Sequence, residues 1–166
     1  MTCLSLPVTL LRMKQWAYEL SVVIPVLNEE KTIETVLDRV LDLDIPLEIV
    51  VVDDGSTDAT PAILEHRKSV NVMVLTHSRN RGKGAAIQTA LPHLRGRYTV
   101  IQDGDLEYNP ADFHRLLEVM QAENAQVVFG SRILGRQPMS YLRYWLGGRG
   151  VTLATNLLFG SRITDE

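Results

Sequence analysis

The sequence predicts an α/β fold: a mostly parallel sheet with helices on both faces. Two observations carry this expectation. Short apolar runs rich in Val and Ile alternate with amphipathic segments of helical period. Each run also ends in a polar, charged cluster, and in open α/β sheets ligands bind beyond the carboxyl ends of the strands.

Residues 20–25 (LSVVIP) read as a first buried strand. Asn28 can cap the next helix, with Glu29 and Glu30 in its first turn. Ile33, Val36, Leu37, Val40 and Leu41 then recur on one helical face. Residues 47–52 (LEIVVV) form a second strand that runs into Asp53, Asp54, Gly55 and Ser56. A helix follows from Asp58 or Thr60, with Pro61 accepted in its first turn. Residues 72–75 are the third strand. Ile87, Ala90, Leu91 and Leu94 mark a helix that Pro92 kinks or ends. Residues 98–101 are the fourth strand, and Asn109 and Pro110 open a helix with Phe113, Leu116, Leu117 and Met120 on one face. Residues 126–129 read as a fifth strand, followed by Gly130, Ser131 and Arg132.

A chain of 166 residues is long enough for one domain with a real core. The net charge of −3, with both signs mixed, excludes nucleic-acid binding by bulk electrostatics. The single cysteine, Cys3, excludes an intrachain disulfide and a Cys-rich metal site, and suits a reducing compartment. No run reaches the roughly 18 apolar residues of a membrane-spanning helix. Residues 1–12 lack the basic start and cleavage site of a signal peptide. They are expected to lie outside the domain, with Met13 as a functional start.

Chemistry concentrates in three clusters. Asp103, Gly104 and Asp105 end the fourth strand, and a small residue between two Asp lets both carboxylates serve one site. A hard divalent cation that shares its other ligands with a diphosphate is the natural partner; a solvated turn is the alternative. In the second cluster Gly55 allows close backbone approach or a positive φ. Asp53 there can accept the imide N–H of a uracil or the N1–H and N2–H₂ of a guanine. The alternative is a turn that caps the next helix. In the third, Arg79, Arg81 and Lys83 bracket Gly82 and Gly84 ahead of a helix N-terminus, which favours anions. The alternative is a solvated basic turn. It is not a Walker A loop, because His77 stands where the first Gly belongs.

The segments SVVIPVLNEEKTI, VVDDGSTDAT, SRNRGKGAAI and IQDGDLEY, in that order and with GSR after them, resemble the family 2 glycosyltransferases of GT-A fold. Leu106, Glu107, Tyr108, Asn109 and Pro110, with Gly130, Ser131 and Arg132, make the chain most similar to the polyprenyl-phosphate group typified by dolichol-phosphate mannose synthase. The resemblance implies a metal-dependent inverting transfer of a hexose from UDP- or GDP-hexose to a polyprenyl phosphate, in the cytoplasm at a membrane face. It implies that Pro25, Asn28, Glu29, Asp53 and Asp54 hold the base and ribose, with Gly55 and Lys83 in the same donor site. Asp103 and Asp105 would hold Mg²⁺ or Mn²⁺, and Asp105 and Arg132 would be the catalytic pair, Arg132 on phosphate. Gly104 departs from the usual Ala and is expected to loosen the turn.

The implied organisation is an N-terminal extension over 1–19, a GT-A nucleotide-sugar-binding core over 20–135, and an acceptor-side segment over 136–166. The fold is expected to be C-terminally incomplete. Residues 141–159 are apolar and aromatic but interrupted by Arg143, Gly147, Gly148 and Arg149. They suit either an interfacial helix or packing on the domain. Two alternatives to the main reading stand: a glycosyltransferase with a hydroxyl acceptor, and an inactive sugar-nucleotide-binding module. A dinucleotide oxidoreductase is excluded because the first strand is not followed by G-x-G-x-x-G.

Overall fold

The computed structural model describes residues 16–130. Four strands, β1 (Tyr18–Val26), β2 (Leu47–Asp53), β3 (Val72–Thr76) and β4 (Gly96–Ile101), form one parallel sheet in the order β3-β2-β1-β4. Helices α1 (Ile33–Leu41), α2 (Thr60–Arg67) and α3 (Lys83–Ala90) connect them. A 3₁₀ turn at Leu91–His93, with Pro92 inside it, ends α3, and α4 (Asp112–Ala122) follows β4. The chain divides into two units, Met1–Ala111 and Asp112–Glu166, so the sheet lies wholly in the first.

The central strands are apolar on both faces because both faces are covered. Val23, Val50 and Val52 pack with Ala86 and Ala90 of α3 on one side. The small residues Ala86 and Ala90 let that helix lie close to the sheet. Val22, Ile24, Ile49 and Val51 alternate to the other side and are fully buried, as is the apolar stripe Ile33, Val36, Leu37 and Val40 of α1. At the amino end of the sheet the buried carboxylate of Glu48 accepts from the Ser21 hydroxyl at 2.7 Å and from the Arg95 Nε at 2.8 Å. Ser21 Oγ in turn accepts the Gly96 N–H at 2.8 Å. This joins β1, β2 and the start of β4. A side chain at Gly96 would bring its Cβ to 2.5 Å from the Ser21 nitrogen.

The strand order reverses direction between β1 and β4. Going from β1 the chain proceeds outward through β2 to β3, then returns to place β4 on the other side of β1. The connections therefore diverge between β1 and β4, the kind of switch point where α/β sheets bind ligands. Pro25 sharpens the gap. The Val23 carbonyl accepts the Gln102 N–H at 2.9 Å, so Val23 faces β4, and so does Pro25 two residues on. Pro25 has no N–H to offer there, and the ladder between β1 and β4 stops.

Three expectations change. Tyr18 and Glu19, placed in the extension, belong to β1: Tyr18 is paired with Gly96. Asn28 does not cap α1, which begins only at Ile33; Asn28 adopts φ 57 and gives its side chain to the next loop. Residues 126–129 form no strand. A strand needs a ladder partner and a covered face, and here Val127 is 64% and Phe129 89% exposed. Met13, Arg132 and residues 136–166 lie outside the described residues.

Candidate functional site

The loops that follow β1, β2, β3 and β4 all emerge at the carboxyl edge, which brings the polar stretches at these strand ends to one side of the sheet. Those after β1 and β2 are sewn together by reciprocal bonds. Asn28 N–H donates to Ser56 Oγ at 2.9 Å, and Asn28 Oδ1 accepts the Thr57 N–H at 2.8 Å. Glu29 N–H donates to Thr60 Oγ1 at 2.9 Å, and Glu30 Oε2 accepts the Ala59 N–H at 3.0 Å. Asn28 and Glu30 thus spend polar atoms on loop geometry. Glu29 uses one carboxylate oxygen on the Thr32 hydroxyl, at 2.6 Å.

The two aspartates ending β2 differ sharply. Asp53 is 1% exposed; its Oδ1 accepts the Ser56 N–H at 3.0 Å, and its Oδ2 has no partner among the described residues. A buried carboxylate oxygen without a donor is costly unless something fills the place. Asp54 is also buried, but both its oxygens are used. Oδ1 accepts from His77 Nδ1 at 2.6 Å and from the Arg81 N–H at 2.9 Å, and Oδ2 accepts the Gly82 N–H at 2.7 Å. Burial pushes the Asp54 carboxyl up, but the bonds from His77 and the two amides outweigh it, and the net pKa lies below the ordinary aspartate value. Asp54 therefore organises the loop after β3.

Gly55 fixes the same junction. It has φ 79, and a Cβ there would lie 2.7 to 2.9 Å from the backbone of Arg79 and Asn80. The loops after β2 and β3 meet backbone to backbone, which only Gly allows. Gly82, at φ 90, then turns the chain into α3. Lys83, the first residue of α3, reaches the β4 side: its Nζ is 2.5 Å from Asp103 Oδ1. The start of α3 thus bonds to the end of β2 through Asp54 and to the end of β4 through Asp103.

Asp103 and Asp105 share one turn, and Asp105 Oδ1 accepts the Glu107 N–H at 3.2 Å. Gly104 between them is buried, and an added Cβ would meet Val26 Cγ1 at 3.0 Å and Glu29 Cγ at 3.2 Å. An alanine there would press on Val26 and Glu29, so the close approach of these side chains suits a glycine. Among the described residues no group of three or more His, Cys, Asp or Glu could by itself hold a metal. The all-oxygen pair Asp103 and Asp105 fits a hard cation whose remaining ligands come from a bound diphosphate.

Two residues of this edge were given no role from the sequence. His77 directly follows β3, as Asp54 follows β2, and it is buried between Asp54 and Thr89. Its place just past a strand end was the available signal. Gln102 is buried before the acidic turn, with Nε2 on the Asp103 carbonyl at 3.1 Å and Oε1 without a partner among the described residues.

Residues 21–149 match the family model described as glycosyl transferase family 2. A dolichyl-phosphate beta-glucosyltransferase of Dictyostelium discoideum is 32% identical over 129 residues, 68% of this chain and 39% of the relative. An undecaprenyl-phosphate 4-deoxy-4-formamido-L-arabinose transferase of Pseudomonas aeruginosa is 36% identical over 161 residues, 92% of this chain and 46% of the relative. The mannosyltransferase PcManGT of Pyrobaculum calidifontis, solved with GDP-Man and Mn²⁺, superposes with a TM-score of 0.56 at 31% identity. That match covers 64% of this chain and 33% of that one. The chain spans half or less of the length of these relatives. With the parallel sheet, the four loops and the family model in agreement, the fold is the GT-A fold and the chain belongs to glycosyl transferase family 2.

Proposed function

We propose that the protein carrying this chain is an inverting glycosyltransferase that moves a hexose from UDP or GDP to the phosphate of a polyprenyl phosphate, in the cytoplasm at a membrane face. One observation carries the donor half of this reading. At one sheet edge the structure gathers a buried carboxylate oxygen on Asp53 that has no partner among the described residues, the acidic turn of Asp103 and Asp105, and the Lys83 end of α3. The polyprenyl acceptor is supported by the names of relatives that share the family.

In this reading Asp53 Oδ2 accepts the ring N–H of the base, a donor that none of the described residues supplies. Pro25, Asn28, Glu29 and Gly55 shape the loops around base and ribose, and Asp54 acts through the loop it holds. Asp103 and Asp105 hold Mg²⁺ or Mn²⁺, which when bound neutralises charge on the leaving diphosphate. Lys83 adds cationic stabilisation to that leaving group, and the family resemblance assigns Arg132 to phosphate; such preorganised charge is commonly the largest catalytic contribution. A phosphate oxygen of the acceptor attacks the anomeric carbon as the bond to the diphosphate breaks on the opposite face. A phosphate is already anionic near neutral pH, so no general base is required of the chain. The basic residues Arg132, Arg136, Arg143 and Arg149 supply its cradle, and the apolar stretch over 141–159 brings the domain to the lipid surface.

The test is labelled donor incubated with purified polyprenyl phosphate and, separately, with glycan acceptors. Label is expected in the lipid phosphate. Label passing only to a hydroxyl acceptor would leave the family standing and overturn the acceptor. Donor bound but never consumed would favour a binding module.

A further inference from the structure

The buried histidine at the end of β3 is used by no step above, yet it holds together the elements that would receive the donor. His77 is 7% exposed. Its Nδ1–H donates to Asp54 Oδ1 at 2.6 Å, and its Nε2 lies 2.9 Å from Thr89 Oγ1 in the last turn of α3. Its backbone N–H donates to the Asp53 carbonyl at 2.8 Å. Asp54 passes the constraint on through the amides of Arg81 and Gly82, which lead into Lys83. A carboxylate left in this buried place without its ring donor would lose one of three bonds and draw in water.

We propose that His77 is a positioning residue for donor binding: through Nδ1 it holds Asp54, and Asp54 presets the loop after β3 and the start of α3 before the nucleotide arrives. The proposal rests on the reading that this edge binds a nucleoside diphosphate. It assigns the effect to one ring nitrogen. The Nε2 contact with Thr89 only steadies the ring.

Two polar substitutions separate the nitrogens. In His77→Asn the side-chain amide nitrogen occupies roughly the place of Nδ1 and keeps the bond to Asp54. In His77→Gln the amide reaches the place of Nε2 and keeps Thr89 instead. Two readouts are taken on the whole protein: hydrogen exchange of the Arg81 and Gly82 amides without ligand, and binding of UDP and GDP with Mn²⁺. His77→Gln should lose about tenfold in amide protection and about tenfold in nucleotide affinity, the worth of one hydrogen bond to a charged group. His77→Asn should stay within about threefold of wild type in both. Asn and Gln variants that behave alike overturn the proposal, because a role in packing alone would treat them alike. Thr89→Val is the second arm should His77→Gln fail to fold. It severs Nε2 and spares Nδ1, so a tenfold loss there places the effect in the wrong contact and also overturns the proposal. If the wild type binds neither nucleotide, the donor reading fails, while amide exchange still decides whether His77 presets the loop.

Discussion

Asp53 and Asp54 are adjacent, chemically identical and both buried, yet among the described residues one carboxylate has all its partners and the other does not. The difference lies in which donors each meets. Asp54 finds His77 and two amides; Asp53 finds one amide. That contrast makes Asp53→Asn informative. The Asn oxygen can still accept the Ser56 N–H, while an NH₂ group takes the place of the unpartnered oxygen. Nucleoside diphosphate affinity should fall about tenfold to a hundredfold, because a donor then faces the donor of the base. Thermal stability should hold or rise. Equal affinity in calorimetric titrations would remove Asp53 from the site. Among the described residues Asp105 bonds only the Glu107 amide, so Asp105→Ala should change stability by less than about 1 kcal/mol. The same variant should abolish the effect of Mn²⁺ on nucleotide binding. A metal effect that survives in titrations with and without chelator would sink the metal assignment.

Among the elements, the loops depend on one another more than on the helices they precede. Asn28, Ser56 and Thr57 tie the loop after β1 to the loop after β2, and Gly55 ties that loop to Arg79 and Asn80. Gly55→Ala tests this coupling. The new methyl would stand against backbone atoms at a φ that L residues rarely adopt. Destabilisation should exceed about 1 kcal/mol, read from the denaturant midpoint, with faster exchange at Asn80 and Arg81. An unchanged midpoint would mean that the two loops separate freely. The helices themselves were legible because their apolar stripes are local signals, as at Ile33, Val36, Leu37 and Val40. The cap at Asn28 was misread, because its side chain is claimed by Thr57, twenty-nine positions away.

For the molecule as a whole, Asp54 links stability to acid. Its folded pKa is depressed, so the unfolded chain takes up a proton first as pH falls. The stabilisation is complete above the ordinary aspartate value of about 4 and is lost as pH falls through the lower folded value. Wild type should therefore lose melting temperature below about pH 4 more steeply than Asp54→Asn, which has no proton to gain there. Parallel slopes in thermal melts from pH 5 to pH 3 would contradict this. The alternation of apolar strands with amphipathic helices, and the polar clusters at strand ends, determined by themselves the fold class and the strand-end loops in which the candidate site residues sit. Both are written in short-range periodicity and in residue types whose chemistry does not depend on neighbours far away. Only the tertiary structure decided the strand order, the parting of β1 from β4 at Pro25, the absence of a strand at 126–129, and which of two neighbouring aspartates is left open. Each of these turns on hydrogen-bond partners tens of residues apart, and a buried donor or acceptor goes to whichever partner the folded chain brings within reach.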